Sequence, residues 1–377
     1  MKILQITPVA PPEKAGMANA AGEIYKATSA LGLDVSLVAG IGGSTVKGLK
    51  SYNLPGLGFL AFTPSIIRLV KEADLVHLHY PCFGNALMVS LAYRLGASSP
   101  LIVSYHMDAI GRGIRRPVFW FHRKFIAPAF LRRAAKIVVA SRDYAANSLL
   151  GMHPKLMEKV VEIPFGVDTE RFHPTSPLAK GEGGEAVGRA GGGLILFVAA
   201  LDEQHYFKGL NVLMRALIDL PAAKLTVVGG GNLLEHHRAE ARRLGIADRV
   251  EFAGKVSDDD LPKFHQAADV FCVPSVDRSE AYGIALLEAE SAGLPCISTA
   301  IPGVRSVVHD GETGLLVKPN DAIALAAALN KILNDESMRK KMGENARAFA
   351  LTRTWSDAGK KYLEIYEAVL NREKIRG

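Results

Sequence analysis

Cysteine is scarce in this chain of 377 residues: there are three, Cys82, Cys272 and Cys296, far apart and without Cys-x-x-Cys spacing. Neither a disulfide framework nor a zinc site follows from them, and a reducing cytoplasm is the compartment that fits. Long apolar runs are missing too. A stretch such as Leu194–Leu201 falls far short of the roughly 20 residues needed to span a bilayer. The N-terminal "MKILQITPVAPP" breaks at prolines and has no small-residue cleavage site, so it reads as a first strand. The chain is expected to be soluble, or to sit on the inner face of a membrane without crossing it. A dinucleotide fingerprint is also lacking: "AGIGGST" supplies Gly40, Gly42 and Gly43, but the last required position is Thr45 and no helix with a suitably spaced acidic residue follows. "HLHY" places His77 and His79 on one strand face with nothing nearby to complete a metal set. A strand at a cleft edge is the expectation there, and no metal is required by any motif.

What is present points to a large folded protein. Hydrophobic residues make up 49% and charged residues 22%, which excludes disorder, and the length favours two domains. The net charge of +7 suits anionic partners without choosing among phosphates, nucleic acid and a membrane surface.

Short apolar runs alternate with helical patterns from the first residue. "KILQIT", "DVSLVAG", "ADLVHLHY", "PLIVSYH" and "AKIVVAS" read as strands of a parallel, doubly wound sheet. Residues 176–193, "SPLAKGEGGEAVGRAGGG", lose all periodicity and read as a glycine-rich linker or exposed loop. The pattern then restarts with "LILFVAAL", "KLTVVGGG", "RVEFAGKV", "ADVFCVPS", "LPCISTA" and "TGLLVKP", each but the last followed by a helical or loop segment. The expected fold is α/β, with two facing Rossmann-like domains over residues 1–175 and 194–354 and a cleft at the carboxyl ends of both sheets.

Within "RSEAYGIALLEAE", Glu280 and Glu288 stand eight positions apart. In a continuous helix that spacing separates their backbones by about 12 Å, whereas acid/base carboxylate pairs work at about 5 to 9.5 Å. Two contacts along one extended ligand fit better than a dyad, with ordinary surface charge as the alternative. Gly283 leaves room for backbone approach, and the start of the following helix can offer unpaired N–H groups to a phosphate.

"EAYGIALLE" resembles the Glu-x7-Glu signature of retaining glycosyltransferases of family 4, two-domain enzymes of the GT-B architecture. The resemblance extends through "PPEKAGMA", "VSYHMDAIG", "IPFGVDTERFHP", "FVAALDEQHYFKGLNVLMRA", "VVGGGN", "PGVRSVVHDGETGLLV" and "TWSDAGKKYLEIYEAVL", and so covers nearly the whole chain. It implies transfer of a sugar from a nucleotide-sugar donor, with a UDP or GDP base left open, to a hydroxyl acceptor. It also implies that Glu280 meets the donor sugar, Glu288 the ribose of the nucleotide and Lys208 the diphosphate, and the Gly283–Ile284 helix start is expected at the donor as well. Gly16 and Gly230 are implied at turns near the donor, and His106 in the acceptor-side half as a proton acceptor or hydrogen-bond partner. A C-terminal helix of about 355–377 is implied to pack back onto the first domain. The chain departs from the family in two places. Ala199 and Ala200 stand where an arginine is usual, leaving His205 or Arg278 as possible replacements, and Ala15 replaces one glycine beside Gly16. Readings from other classes are a non-catalytic nucleotide-sugar binder and a nucleotide-sugar epimerase.

From Ala109 to Ser141 the chain has eight Lys/Arg residues and no acidic ones, and Phe119, Trp120, Phe121, Phe125 and Phe130 interleave with Arg115, Arg116, Arg123, Lys124, Arg132 and Arg133. A basic helix with aromatics suits an anionic membrane surface, and with it a lipid-linked sugar or glycolipid acceptor. Aromatics turned to the core beneath solvated cations are the alternative. No recognised nucleic-acid module accompanies the charge. Asp108, beside His106, is expected to orient a substrate or to cap the next segment.

Overall fold

The computed structural model describes residues 1–11, 16–52, 60–110, 116–174 and 192–376. Ala15, Arg115 and residues 176–191 of the expected linker lie outside these. The chain divides into two units, Met1–Gly166 with Trp355–Gly377, and Val167–Thr354. The first division thus falls before residue 175. Val167 already donates to the Arg353 carbonyl at 2.9 Å, and Phe172 packs edge-on against His265, so both belong to the second unit.

The first unit is a six-stranded parallel sheet of β1 (Lys2–Val9), β2 (Asp34–Ile41), β3 (Leu75–Tyr80), β4 (Leu101–Tyr105), β5 (Lys136–Val139) and β6 (Val160–Glu162), in the order β2-β1-β3-β4-β5-β6. β3 and β4 are buried along their whole length, as strands covered on both faces must be. Their place at the middle of the sheet corrects the cleft-edge expectation for "HLHY": His77 and His79 are both 0% exposed. The helix Trp355–Arg376 completes this unit's core, where Tyr362, Tyr366 and Val369 pack with Ile3, Ile24, Leu75 and Ile102. Gly359 allows that helix close approach, since a Cβ there would lie 2.8 Å from the Ala27 Cβ.

The second unit repeats the plan with β7 (Leu194–Val198), β8 (Lys224–Val228), β9 (Val250–Gly254), β10 (Val270–Cys272), β11 (Cys296–Thr299) and β12 (Gly314–Val317), ordered β12-β11-β10-β7-β8-β9. β12 too is followed by a helix, Ala322–Asn334, whose N-cap Asp321 accepts from the Ala324 amide at 2.9 Å. The order reverses between β7 and β10. In open α/β sheets ligands bind beyond the carboxyl ends of strands at such a switch.

Candidate functional site

The loops leaving β7 and β10 are joined to one another. The Val276 amide donates to the Phe207 carbonyl at 2.8 Å, and the Tyr206 hydroxyl to Asp277 Oδ2 at 2.5 Å. Gly209 permits the fit: its φ is +78° and a Cβ would lie 2.1 Å from the Pro274 carbonyl oxygen. This clasp brings Lys208 and Glu280 together, 72 residues apart in sequence, with Nζ 2.6 Å from Oε2 and both side chains largely buried. Ser275 Oγ also donates to Glu280 Oε2, at 3.2 Å.

Lys208 closes a single 3-10 turn, Tyr206–Lys208, ahead of the helix Leu210–Ala216. Its charge is met by the Glu280 carboxylate from within the chain.

Glu280 lies before the helix Ile284–Ser291, so the two glutamates do not share a continuous helix and the 12 Å estimate does not apply. Gly283, with φ +99°, caps that helix, and the Ile284 and Ala285 amides bond to no described residue. Glu288, within the helix, has its carboxyl pushed up to about 7. Removal from water is the main cause; Arg171 and Lys208 oppose it and Asp258 adds to it.

Beside Lys208 lies a cavity of about 150 Å³ lined by Ala200, Asp202, His205, Asn211 and His237 among others. His205 Nδ1 is 2.8 Å from Asp202 Oδ1. Of the two candidates to replace the missing arginine, His205 therefore shares the cavity with Lys208, whereas Arg278 is exposed. The glycine triplet is explained in part by the protein's own backbone. A Cβ at Gly229 would meet the Ala199 carbonyl at 1.8 Å and one at Gly231 the Leu201 carbonyl at 2.1 Å, while at Gly230 it would meet the Lys255 side chain at 2.9 Å.

In the first unit, Gly16 opens the helix Gly16–Ala30, and a Cβ there would meet nothing within 4 Å. His106 follows β4 and is 7% exposed. Its amide donates to the Tyr80 carbonyl, its Nε2 lies 2.9 Å from His79 Nδ1, and its ring stacks on Phe165. Burial drives it down to about 4, so the imidazole is neutral at pH 7. Asp108 is 5% exposed, and its Oδ1 accepts from the Tyr105 hydroxyl and, at 3.0 Å, from the Leu149 amide.

The basic stretch forms the helix Arg116–Phe121, a π-helical turn His122–Ile126 and the helix Ala127–Arg133. Its aromatics divide. Phe130 is buried and Phe119 packs on Phe83 at 4.9 Å. Val118, Trp120, Phe121, Phe125 and Ile126 are 45–53% exposed, and the Lys124 ammonium lies over the Trp120 ring at 4.9 Å.

Sequence reasoning missed Ser275, Asp202, Asn211 and Arg171, and set His79 aside. None has a motif of its own. Ser275 and Asp202 are five and three residues from the partners they bond, a local proximity that carries no signal without the loop geometry.

Two doubly wound sheets, with a cation and carboxylates gathered at the switch point of one, define a two-domain α/β protein of GT-B architecture with a candidate site for an anionic ligand. The chain belongs to the family 4 glycosyltransferases: residues 188–349 match the family described as glycosyl transferases group 1, and residues 15–171 match glycosyltransferase family 4. It is similar to a D-inositol 3-phosphate glycosyltransferase of Xylanimonas cellulosilytica, 30% identical over 88% of this chain and 81% of that protein. It is also similar to a phosphatidyl-myo-inositol mannosyltransferase of Mycolicibacterium smegmatis, 29% identical over 86% of this chain and 81% of that one. The fold is shared with a sucrose-phosphate synthase from Thermosynechococcus elongatus, with a TM-score of 0.79 at 22% identity, covering 98% of this chain and 99% of that one. The chain is thus a glycosyltransferase, a hexosyltransferase that takes its sugar from a nucleotide-sugar donor, and retention of anomeric configuration fits its family. Among the described residues no helix is long and apolar enough to cross a membrane.

Proposed function

We propose that the enzyme moves a hexose from a UDP- or GDP-sugar to a hydroxyl of a lipid-borne acceptor at an anionic membrane surface. The observation that carries the donor half is the gathering of Lys208, Glu280 and Glu288 where β7 and β10 diverge. Lys208 exchanges part of its contact with Glu280 for the diphosphate, and so stabilises the charge that grows there as the sugar–phosphate bond breaks. Glu280, released from full pairing, accepts from hydroxyls of the sugar, and Glu288 from the ribose. Gly16, Gly230 and the amides of Ile284 and Ala285 are assigned to the donor, the last two to its phosphates. His205 is assigned to the diphosphate in place of the usual arginine, ahead of the exposed Arg278. His106 is assigned to a sugar hydroxyl. Front-face displacement, the mechanism the family resemblance implies, is proposed for the transfer step. The departing diphosphate oxygen and the entering hydroxyl then share one face of an oxocarbenium-like sugar, and the acceptor's proton passes to the leaving oxygen.

The acceptor half rests on the exposed Trp120, Phe121 and Phe125 beside Arg116, Arg123 and Lys124, an amphipathic pattern suited to a lipid interface. The mannosyltransferase relative, whose name carries a phosphatidyl lipid, supports the same reading.

A thermal-shift panel of UDP- and GDP-sugars tests the donor. A ligand at 100 times its dissociation constant adds about 2.7 kcal/mol, worth about 5–10 °C for a unit of this size. Absence of a shift with every nucleotide sugar at millimolar concentration would refute it.

A further inference from the structure

The first unit contains a polar chain that crosses its sheet. His77 Nδ1 lies 2.7 Å from the Tyr366 hydroxyl and its Nε2 2.7 Å from Ser104 Oγ, which meets the Tyr362 hydroxyl at 2.9 Å. Both nitrogens of His77 are therefore partnered. His79 follows on the same strand face, its ring 4.4 Å from that of His77. Its Nδ1 meets His106 Nε2 at 2.9 Å, and its Nε2 is buried with no partner among the described residues.

One hydrogen lies between the two rings, and it can belong to either. If His106 donated it from Nε2, a neutral His79 would carry its own hydrogen on Nε2, leaving a fully buried N–H with no acceptor. If His79 donates from Nδ1, the buried Nε2 is a bare acceptor nitrogen instead. Orphaned buried donors are rarer than under-satisfied acceptors, and leaving a buried group unsatisfied costs about 1–3 kcal/mol. Burial drives both histidines well below their ordinary value, so a doubly protonated ring does not rescue the first arrangement. His106 Nδ1, the remaining nitrogen, bonds to no described residue.

We propose that His79 is a positioning residue that fixes His106 as its Nδ1–H tautomer, so that the free edge of His106 offers a hydrogen-bond donor to an oxygen of the bound sugar. This rests on the assignment of His106 to the sugar. It removes the alternative in which that same edge accepts a proton as a general base. His79 itself touches no substrate. It acts through the hydrogen bond and through the stacked contact of the two rings, whose centroids are 5.2 Å apart and planes 16° apart.

The test is two-bond ¹H–¹⁵N correlation on the full-length protein labelled with ¹⁵N-histidine, with and without the donor found in the panel. The expected spectrum shows His106 protonated at Nδ1 and bare at Nε2, with the Nδ1 resonance moving on donor addition. Protonation of His106 at Nε2 overturns the proposal while leaving its assignment to the sugar intact. The expected tautomer with no response to donor overturns that assignment, and with it the donor role. Substitution gives a second readout. His79→Asn, whose amide can still donate to His106 Nε2, should keep the tautomer and most of kcat. His79→Ala should produce a mixture of tautomers and lower kcat about tenfold or more with little change in donor KM. Equal losses in the two variants that track thermal stability would mean a purely structural His79.

Discussion

Lowering the pH should unfold the first unit before the second. His77, His79 and His106 are buried and neutral: His77 lies at about 3 and His106 at about 4, with His79 well below its ordinary value. Desolvation is the leading cause in all three, and charge on the neighbouring histidines adds to it for His77 and His79. In the unfolded chain each returns to about 6.5. A base whose folded value is depressed binds its proton more readily when unfolded. The stability these groups allow is complete above about pH 6.5 and is lost as pH falls from there toward 4. At pH 5 each unfolded imidazole gains about 2 kcal/mol from protonation, about 6 kcal/mol for the three, with a limiting slope of about 4 kcal/mol per pH unit. That is comparable with the whole stability of a domain, about 5–15 kcal/mol. The first unit also holds His122, at about 4 by burial. Among the described residues of the second unit His265, at about 4, and His237, lowered by burial, act in the same sense, but Glu288, at about 7, and Glu290, raised by burial, act in the opposite one, so the second unit should lose less. Calorimetry at pH 7.5, 6.5, 5.5 and 5.0 measures the transitions, and hydrogen exchange of β3 and β4 amides assigns the first unit's. His77→Asn, able to keep bonds to Ser104 and Tyr366, should lower the slope by about 1.4 kcal/mol per pH unit. Equal acid shifts for both units, or an unchanged slope in that variant, would refute the reasoning.

Glu290 is buried and held neutral: burial raises its carboxyl well above the usual range despite the Thr313 hydrogen bond at 2.8 Å. An acid raised on folding loses stability as pH climbs above about 4.5, so the urea midpoint of Glu290→Gln should gain on the native protein between pH 5 and 8, and a pH-independent difference would contradict this. Glu288, at about 7, is proposed to meet the ribose, and its ionised form is the stronger acceptor. Donor affinity should therefore rise by up to about tenfold from pH 6 to 8 and flatten in Glu288→Gln, as titration calorimetry at each pH would show. Reversing the charge of Arg115, Arg116, Arg123 and Lys124 should weaken sedimentation with anionic vesicles by at least a hundredfold, at about 1 kcal/mol per cation; unchanged binding removes the membrane reading.

The alternation of strands was legible because each strand of a parallel sheet is buried on both faces and so forms a compact apolar run. β6 was not, since Val160–Glu162 is three residues long and passes from buried to exposed. The carboxylate spacing was legible, but not the place where the helix begins. Gly283 takes a left-handed conformation, so the helix starts at Ile284 and Glu280 belongs to the loop. The pairing of Lys208 with Glu280 depends on two loops that meet only because β7 and β10 are neighbours. Likewise, "HLHY" shows two histidines on one face, but their burial depends on β3 lying between β1 and β4, a fact of topology and not of pattern. The exposure of Trp120 and Phe125 beside the burial of Phe130 reflects the π-helical turn, which shifts the faces that a regular helix would present.

The proposed donor site depends most on Lys208 meeting the donor's phosphates. Titration calorimetry of the native protein and of Lys208→Met with the nucleotide sugar identified by the panel, alongside circular dichroism to confirm folding, tests this directly. The expected result is saturable binding to the native protein, weakened a hundredfold or more in the folded variant and partly restored in Lys208→Arg. Equal dissociation constants for the native protein and the folded Lys208→Met variant would contradict it.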